Sequence, residues 1–156
     1  MRTFIFTVCL ACVIIIGCSK KSQPTEQTNQ NNDTPDPLQH VTYDYQIYPC
    51  APKHTKTDSF TIITQDHSLI VQHHNLYVNC GACLSSSLYK KNDSLTIIEK
   101  DSLGSSFATC WCYFPVYSRI DSVPPGTYIL SVINNHKQED HVNTFTLLYR
   151  DTVIVN

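Results

Sequence analysis

Beyond residue 40 the chain consists of short β-rich stretches separated by polar turns, and in several of them apolar and polar residues alternate with a period of two. Together with many β-branched and aromatic side chains, this period is typical of strands that bury one face. Alternating triplets occur at Tyr128, Leu130 and Val132 and at Phe145, Leu147 and Tyr149. We predict strands at residues 41–48, 60–64, 69–78, 86–90, 95–100, 112–120, 127–134, 143–149 and 152–155.

The segment that enters the seventh predicted strand reads Val-Pro-Pro-Gly-Thr-Tyr at residues 123–128. It resembles the turn before the tyrosine-bearing strand of fibronectin type III domains, where a tyrosine hydroxyl bonds back to the backbone. No segment keeps a helical period over three turns. We therefore predict an all-β fold, an antiparallel β-sandwich of seven to nine strands that is similar to immunoglobulin and fibronectin III domains.

The amino-terminal segment has the pattern of a secretory signal. Arg2 is followed by an apolar run at residues 4–17, which only Thr7 interrupts. The run has 14 residues, fewer than the roughly 20 that span a bilayer as a helix. Its end reads Ile-Ile-Gly-Cys at residues 15–18, which resembles a bacterial lipobox. The resemblance implies removal of residues 1–17 as a signal peptide and attachment of lipid, palmitate included, to Cys18.

Residues 18–40 continue as a polar segment in which Leu38 is the single large apolar side chain. Such a segment buries too little surface to offset its ordering entropy, so we predict a disordered tether that reaches about 25 Å. Two or more acyl chains hold a protein stably at a membrane. We expect a lipid-anchored bacterial cell-envelope protein, with Ser19 favouring the outer membrane, and a β-sandwich domain at residues 41–156.

Eight cysteines are many for a chain of 156 residues. Two lie in the predicted signal, at residues 9 and 12, and Cys18 is assigned to lipid. The other five are Cys50, Cys80, Cys83, Cys110 and Cys112. Because exported cysteines are usually oxidised, the first hypothesis is two disulfides. They would join the Cys-x-x-Cys motif at residues 80–83 to the Cys-x-Cys motif at 110–112, with the connectivity open.

Two other hypotheses use the same cysteines for chemistry. Two close thiolate pairs suit tetrahedral zinc or copper(I), with Cys50, His73 and His74 as further candidate ligands. Adjacent strand residues point to opposite faces, so ordinary surface or half-buried histidines are the alternative. The third hypothesis is thiol redox catalysis, although the helix that lowers the thiol pKa in such enzymes is missing. Apart from zinc or copper, we expect no cofactor.

The second candidate site is a strip of large side chains on the sixth predicted strand, on the face opposite Cys112. Its members are Trp111, Tyr113, Tyr117 and Arg119, with Pro115 between them. These residue types dominate binding hot spots, and aromatic faces also stack on sugar rings. Because Pro115 cannot donate to a sheet ladder, we expect an edge strand or a bulge there. Packing of the strip under a loop or the second sheet is the alternative.

Charge and motifs narrow the class of function. The net charge is −2, and no run of lysine or arginine exceeds two residues, so nucleic-acid binding is not expected. The chain has no nucleophile elbow, zinc-protease motif or phosphate loop, and we expect a protein that is not an enzyme. The expected partners are the membrane, through the anchor, and an unknown envelope protein or glycan.

Four turn aspartates are followed by Ser or Thr and then by an apolar residue. This pattern resembles the acceptor sequence of periplasmic O-glycosylation in some gut anaerobes. The candidate acceptors are Ser94, Ser102, Ser122 and Thr152. The resemblance implies attachment of glycan at one or more of these turns.

Three short motifs follow one another along the last half of the chain. They are Asn-Cys-Gly at residues 79–81, Cys-Trp-Cys-Tyr-Phe at 110–114 and Pro-Gly-Thr-Tyr at 125–128. Together they resemble a stretch of small cysteine-containing envelope lipoproteins of gut Gram-negative anaerobes. The resemblance implies a cell-envelope β-domain and carries no activity with it.

Overall fold

The computed structural model of the chain describes residues 38–51, 58–103, 108–137 and 143–156. Strands account for 77% of these residues and helices for none. The strands are β1 (Thr42–Ile47), β2 (Phe60–Gln65), β3 (Ser68–Asn79), β4 (Ala82–Lys91), β5 (Ser94–Leu103), β6 (Trp111–Asp121), β7 (Gly126–Lys137) and β8 (Asn143–Val155). The all-β class expected from the alternating pattern is confirmed.

These strands form two sheets of four strands each, which pack as a β-sandwich. The first sheet has the order β1-β6-β3-β2 and the second the order β4-β5-β7-β8. Three hairpins, β2–β3, β4–β5 and β7–β8, supply antiparallel neighbours that are adjacent in the chain. Strand β6 is the only described strand between β5 and β7, and it lies in the other sheet.

One strand pair departs from the predicted antiparallel arrangement. Strands β5 and β7 run parallel, with Leu95 paired to Leu130 and Ile97 paired to Val132. Parallel neighbours need a crossover connection, because the chain must return to its starting end. Here the chain leaves the second sheet after β5, passes along the first sheet as β6 and returns as β7. Local alternation cannot reveal such a crossover.

Alternating residues from both sheets meet in a main apolar cluster, and Leu76, Val78 and Val116 form a smaller second one. The fully or nearly fully buried members of the main cluster include Leu69, Val71, Leu95, Ile97, Ile120, Tyr128, Leu130 and Val132. These are the positions that the period of two assigns to buried faces, so the predicted alternation is confirmed for the strands that carry them. The same period leaves the intervening side chains on the two outer faces of the sandwich.

The alternation predicted for the last strand region is wrong. We expected Phe145, Leu147 and Tyr149 to share one face, but the register of β7 and β8 shifts after Val132, which opposes Tyr149. Leu148 is the extra residue of this bulge, and a bulge moves the following side chains to the other face. As a result Phe145 and Leu147 are 62% and 54% exposed, whereas Tyr149 packs against the core.

Leu38, which the sequence assigned to the tether, belongs to the core. Its side chain is fully buried and is part of the main apolar cluster. Lys90 of β4 holds the entering backbone, because its Nζ donates to the carbonyl oxygens of Leu38 and Val41 at 2.8 and 3.2 Å. The sandwich therefore includes residues before the predicted start at 41.

Three predicted features lie outside the described residues: the signal peptide, the lipidated Cys18 and the rest of the tether. In the part of the chain that the structure does describe, no helix is long and apolar enough to cross a membrane. Membrane attachment thus depends on the sequence resemblance alone and is taken up below as a proposal.

The turn between β6 and β7 has the hydrogen bond that its resemblance to fibronectin domains predicts. The hydroxyl of Tyr128 donates to the carbonyl oxygen of Pro124 at 2.9 Å. Gly126 lies directly under the ring, where an added Cβ would stand 3.4 Å from it. This distance is an ordinary van der Waals contact, so the Tyr128 ring packs closely over the backbone at Gly126.

A second tyrosine joins the two sheets. The hydroxyl of Tyr43, on β1, bonds to Ser118 of β6 at 2.9 Å and to Ser86 of β4 in the opposite sheet. Burial raises the pKa of Tyr43 to about 12, and the hydrogen bonds with the two serines offset only part of this rise. The neutral phenol is therefore the form that the folded interior holds.

Candidate functional site

The predicted strip lies on the outer face of the first sheet. Along β6 the side chains of Cys112 and Val116 are buried between the sheets, whereas Trp111 on the opposite face is 47% exposed. Tyr113 and Tyr117 occupy the same outer face and are half-buried. The strip therefore points away from the second sheet, which excludes packing of the strip under that sheet.

Tyr77 of β3 extends the strip, and sequence reasoning missed it. Its ring stacks on Trp111 with centroids 5.5 Å apart and lies 4.8 Å from the ring of Tyr113. Half of its surface, 51%, is exposed. The outward positions of β3 change from even to odd numbers between His74 and Tyr77, so simple alternation does not place this ring on the outer face.

A bulge in β3 causes that change. Its register with β6 shifts between His73 and Leu76, opposite Pro115. Strand β6 lies between β1 and β3 rather than at an edge, so the edge expectation is wrong. A bulge does lie at Pro115, but it is in β3 and not in the strand that carries the proline. Proline has no N–H for the ladder, and its carbonyl oxygen still accepts from the Tyr48 N–H on the β1 side at 2.9 Å.

Two glutamines flank Tyr117 on the neighbouring strands. Gln46 of β1 and Gln72 of β3 are both its direct partners in the register. Paired residues in antiparallel strands share a face, so an amide, a phenol and an amide form a row across the outer surface. Tyr48, 42% exposed, continues this surface beyond the end of β1. Polar hydrogen-bonding groups therefore border the aromatic rings.

A disulfide and a buried amide fix the strip at the Trp111 end. Cys80 and Cys110 are bonded across the ends of β3 and β6, with their Cα atoms 5.6 Å apart. Next to them Asn79 is fully buried, and its Nδ2 donates to the Ala108 carbonyl oxygen at 2.6 Å. These contacts determine where the backbone enters β6.

The second disulfide fixes the same part of β6 from the other side. Cys50 and Cys112 are bonded, with their Cα atoms 5.7 Å apart. Between them the Ala51 N–H donates to the Tyr113 carbonyl oxygen at 2.9 Å. Strand β6 is thus held covalently to the segment after β1 and to the end of β3, so the aromatic rings stand on a rigid support.

This pairing corrects the first cysteine hypothesis. The bridge from Cys80 to Cys110 joins the two motifs as expected, but Cys112 bonds to Cys50 and not to Cys83. Cys50 reaches Cys112 because the chain that leaves β1 continues alongside β6, where Ala51 pairs with Tyr113. Cys83 is outside both disulfides.

The same pairing argues against the metal-site hypothesis and the thiol-redox hypothesis. Four sulfurs that are joined in disulfides are not available as thiolate ligands, and no group of three or more His, Cys, Asp or Glu side chains within the described ranges is arranged to hold a metal ion. The redox hypothesis needs Cys80 and Cys83 as partners at a helix start. Cys80 instead bonds to Cys110 at the end of a strand.

The two adjacent histidines point to opposite faces, as predicted from the strand. His73 is buried, with its Nδ1 2.7 Å from Glu99 Oε2 and its ring stacked on Phe60 at 4.3 Å. His74 is exposed, and its Nε2 lies 2.8 Å from Thr61 Oγ1. Their contacts are with neighbouring side chains of the sandwich and not with a shared ligand set.

At the far end of the strip, Arg119 is paired within its own strand. Its Nε donates to both carboxylate oxygens of Asp121, at 2.8 and 2.9 Å. Partial burial favours the neutral acid, but hydrogen bonds from Ser68 and Arg119 outweigh it and lower the pKa of Asp121. The hydrogen bond with Asp121 raises the pKa of Arg119. The charges of Arg119 and Asp121 compensate each other, and the exposed Asp44 of β1, the register partner of Arg119, adds a second carboxylate at this end.

The four candidate glycosylation residues differ in exposure. Ser122 and Thr152 are exposed, whereas Ser94 and Ser102 are partly buried. The Ser102 hydroxyl also donates to the Cys83 carbonyl oxygen at 2.9 Å. Accessibility therefore favours Ser122 and Thr152, and modification at any of the four stays a prediction.

Comparison of the chain with protein-family models, with curated proteins and with solved structures found no match. The functional assignment consequently depends on the geometry of the outer face of the first sheet. Its defining feature is the exposed stack of Trp111, Tyr77 and Tyr113 beside the two disulfides.

Proposed function

We propose that the chain is a lipid-anchored protein of the bacterial cell envelope, carried at the outer membrane through Cys18. Its disulfide-stabilised sandwich is a non-enzymatic binding module. The ligand is an envelope component, either protein or glycan, that engages the aromatic strip of Trp111, Tyr77, Tyr113 and Tyr117. The single observation that carries this proposal is a stack of three aromatic rings on an outer sheet face, two of them about half exposed.

Rigidity supports the proposal. A ligand that binds a mobile surface loses affinity to the ordering of side chains and loops. The disulfides at Cys110 and Cys112 hold the chain on both sides of Trp111. Tyr77 restricts the indole by stacking on it. Tryptophan and tyrosine also offer large contact areas with few rotatable bonds. The strip is therefore pre-organised for binding.

We also propose that the sandwich is similar to immunoglobulin and fibronectin III domains. The bond from Tyr128 to the Pro124 carbonyl oxygen supports it, since a tyrosine at this corner makes that contact in such domains. The parallel β5–β7 pair is a departure from their antiparallel sheets. Such a fold is compatible with many functions, so the role is inferred from the strip and not from the fold.

Binding is tested with the purified protein and the isolated cell envelope of the producing bacterium. We expect co-sedimentation that falls by about tenfold in the double variant Tyr77→Ala/Trp111→Ala, as for loss of a hot spot. Phe145→Ala/Leu147→Ala is the matched control, because it removes equally exposed apolar side chains from the opposite sheet. Equal binding by both double variants would refute the role of the strip.

The anchor is tested separately. Mass spectrometry of the native protein should find a mature amino terminus at Cys18 that carries acyl chains, and Cys18→Ser should release the protein from the membrane fraction. An unmodified Cys18 in a secreted, soluble product would reject the lipid anchor. That result would leave the binding role of the sandwich intact.

A further inference from the structure

We propose that the ligand of the strip is an uncharged polysaccharide chain of the cell envelope, laid along β6 from Trp111 to Tyr117. This inference deepens the proposed function and depends on it. It rests on three properties of the described surface: its charge, its dimensions and the arrangement of its polar groups.

The first property is the absence of charge from the part of the strip that would contact a ligand. The outward side chains from Trp111 to Tyr117 are aromatic or proline, and the flanking partners of Tyr117 are the neutral amides Gln46 and Gln72. The charged side chains Arg119, Asp121 and Asp44 lie beyond Tyr117, at the far end, and the exposed His74 of β3 hydrogen-bonds with Thr61. Charged partners are recognised by complementary charge, which this surface does not offer, so a neutral ligand fits it best.

The second property is size. Trp111 and Tyr117 are six residues apart on one strand, so the strip is about 20 Å long and, across three strands, about 10 Å wide. This corresponds to about 200 Å², against the about 800 Å² per partner of a standard protein–protein interface. A narrow, straight strip on a pleated face suits a linear chain of sugar rings better than a folded protein.

The third property is the alternation of ring surface and hydrogen-bonding groups. Pyranose rings have apolar C–H faces and a rim of hydroxyl groups. The exposed ring surface of Trp111 and Tyr77 can take the C–H faces, whereas the amides of Gln46 and Gln72 can each both donate to and accept from hydroxyl groups. Successive outward residues on a strand are about 6.6 Å apart, a spacing comparable with the length of one pyranose unit.

The test uses three fractions of the envelope of the producing bacterium: protein, acidic polysaccharide retained on an anion exchanger, and neutral polysaccharide that passes through it. We expect the purified protein to bind the neutral fraction with an affinity that does not change between low and high salt. Periodate, which cleaves vicinal diols, should abolish binding, and protease should not.

Variants connect the binding to the strip. Trp111→Ala should weaken binding to the neutral fraction by about tenfold, Trp111→Phe should retain most of it, and Gln72→Ala should weaken it without loss of the fold. Phe145→Ala should bind as the wild type does. Near-ultraviolet circular dichroism and disulfide mapping verify that each variant is folded.

Two results would overturn the inference and are distinguishable from each other. Binding to the protein or the acidic fraction alone, lost in Trp111→Ala, would show that the strip is a binding surface for another class of ligand; the proposed function would then stand. Binding to none of the fractions would overturn the proposed function and this inference together.

Discussion

His73 of the first sheet and Glu99 of the second sheet meet inside the sandwich, with His73 Nδ1 2.7 Å from Glu99 Oε2. His73 is 1% exposed and Glu99 is 3% exposed. Phe60 stacks on the imidazole, and the exposed Asp58 carboxylate approaches His73 Nε2 at 3.5 Å. A polar pair in an apolar core is tolerated only when its partners are in place. The pair therefore favours one alignment of the two sheets.

Removing one member of this pair should destabilise the fold strongly. Glu99→Ala leaves a buried imidazole without its partner, and we expect the free energy of unfolding to fall by about 3–5 kcal/mol. The double variant His73→Leu/Glu99→Leu should recover most of the loss, because it replaces both polar groups by apolar ones. Urea unfolding, followed by the fluorescence of the single tryptophan, measures these differences.

Lys100 provides the control for this experiment, since it follows Glu99 on β5 and is exposed. Lys100→Ala should change the free energy of unfolding by no more than about 0.5 kcal/mol. If Glu99→Ala and Lys100→Ala had the same effect, the pair between the sheets would contribute nothing to stability.

Tyr43 should make the protein sensitive to alkali. Burial raises its pKa in the folded state from 10.0 to about 12, so the folded protein holds the phenol proton more tightly than the unfolded chain does. Its contribution to stability is complete below pH 10 and is lost as the pH rises through about 12. The rise corresponds to a loss on the order of 2–3 kcal/mol.

Urea unfolding at several pH values between neutral and strongly alkaline measures this loss. Tyr43→Phe should be less stable at neutral pH, where its hydrogen bonds are missing, but should decline less steeply with pH. Tyr89→Phe is the control, because Tyr89 is 51% exposed and its replacement should leave the steep decline unchanged. A decline of equal slope in both variants would exclude Tyr43 as the responsible group.

Each disulfide should contribute a similar share of the stability. The bridged cysteines are 30 residues apart for Cys80–Cys110 and 62 for Cys50–Cys112, and loop-closure entropy then predicts about 3–4 kcal/mol for each. We expect Cys80→Ala/Cys110→Ala and Cys50→Ala/Cys112→Ala to lose this amount in urea unfolding. Peptide mapping without reductant should find the same two pairs, and a peptide that links Cys83 to Cys80, Cys110 or Cys112 would contradict the pairing.

Local pattern was sufficient to predict most strands but not their neighbours. Alternation identified the buried faces at Leu95 and Leu130, because a strand with one solvent-exposed face has a period of two regardless of which strand is its neighbour. That these two residues lie side by side in parallel strands depends on a crossover through the other sheet. No local signal in the sequence records such a crossover.

The candidate site was predicted in part for the same reason. Trp111 and Tyr113 were found because they alternate with the buried Cys112 on one regular strand. Tyr77 was missed because a bulge reverses the faces of β3 before it, and only Pro115, on another strand, indicated that bulge. The disulfide partner predicted for Cys112 was wrong, because Cys50 becomes its neighbour through the long-range pairing of β1 with β6.

Leu38 provides a test of where the folded domain begins. Its side chain is fully buried in the main core cluster, so Leu38→Ala should lower the free energy of unfolding by about 2–5 kcal/mol. Lys90→Met should also be destabilising, by about 1–3 kcal/mol, because it removes the charged donor to the Leu38 and Val41 carbonyl oxygens. Gln39 is exposed, and Gln39→Ala should stay within about 0.5 kcal/mol of the wild type. If Leu38→Ala were as mild as Gln39→Ala in urea unfolding, the sandwich would begin at residue 41, as the sequence pattern alone predicts, and Leu38 would be part of the tether.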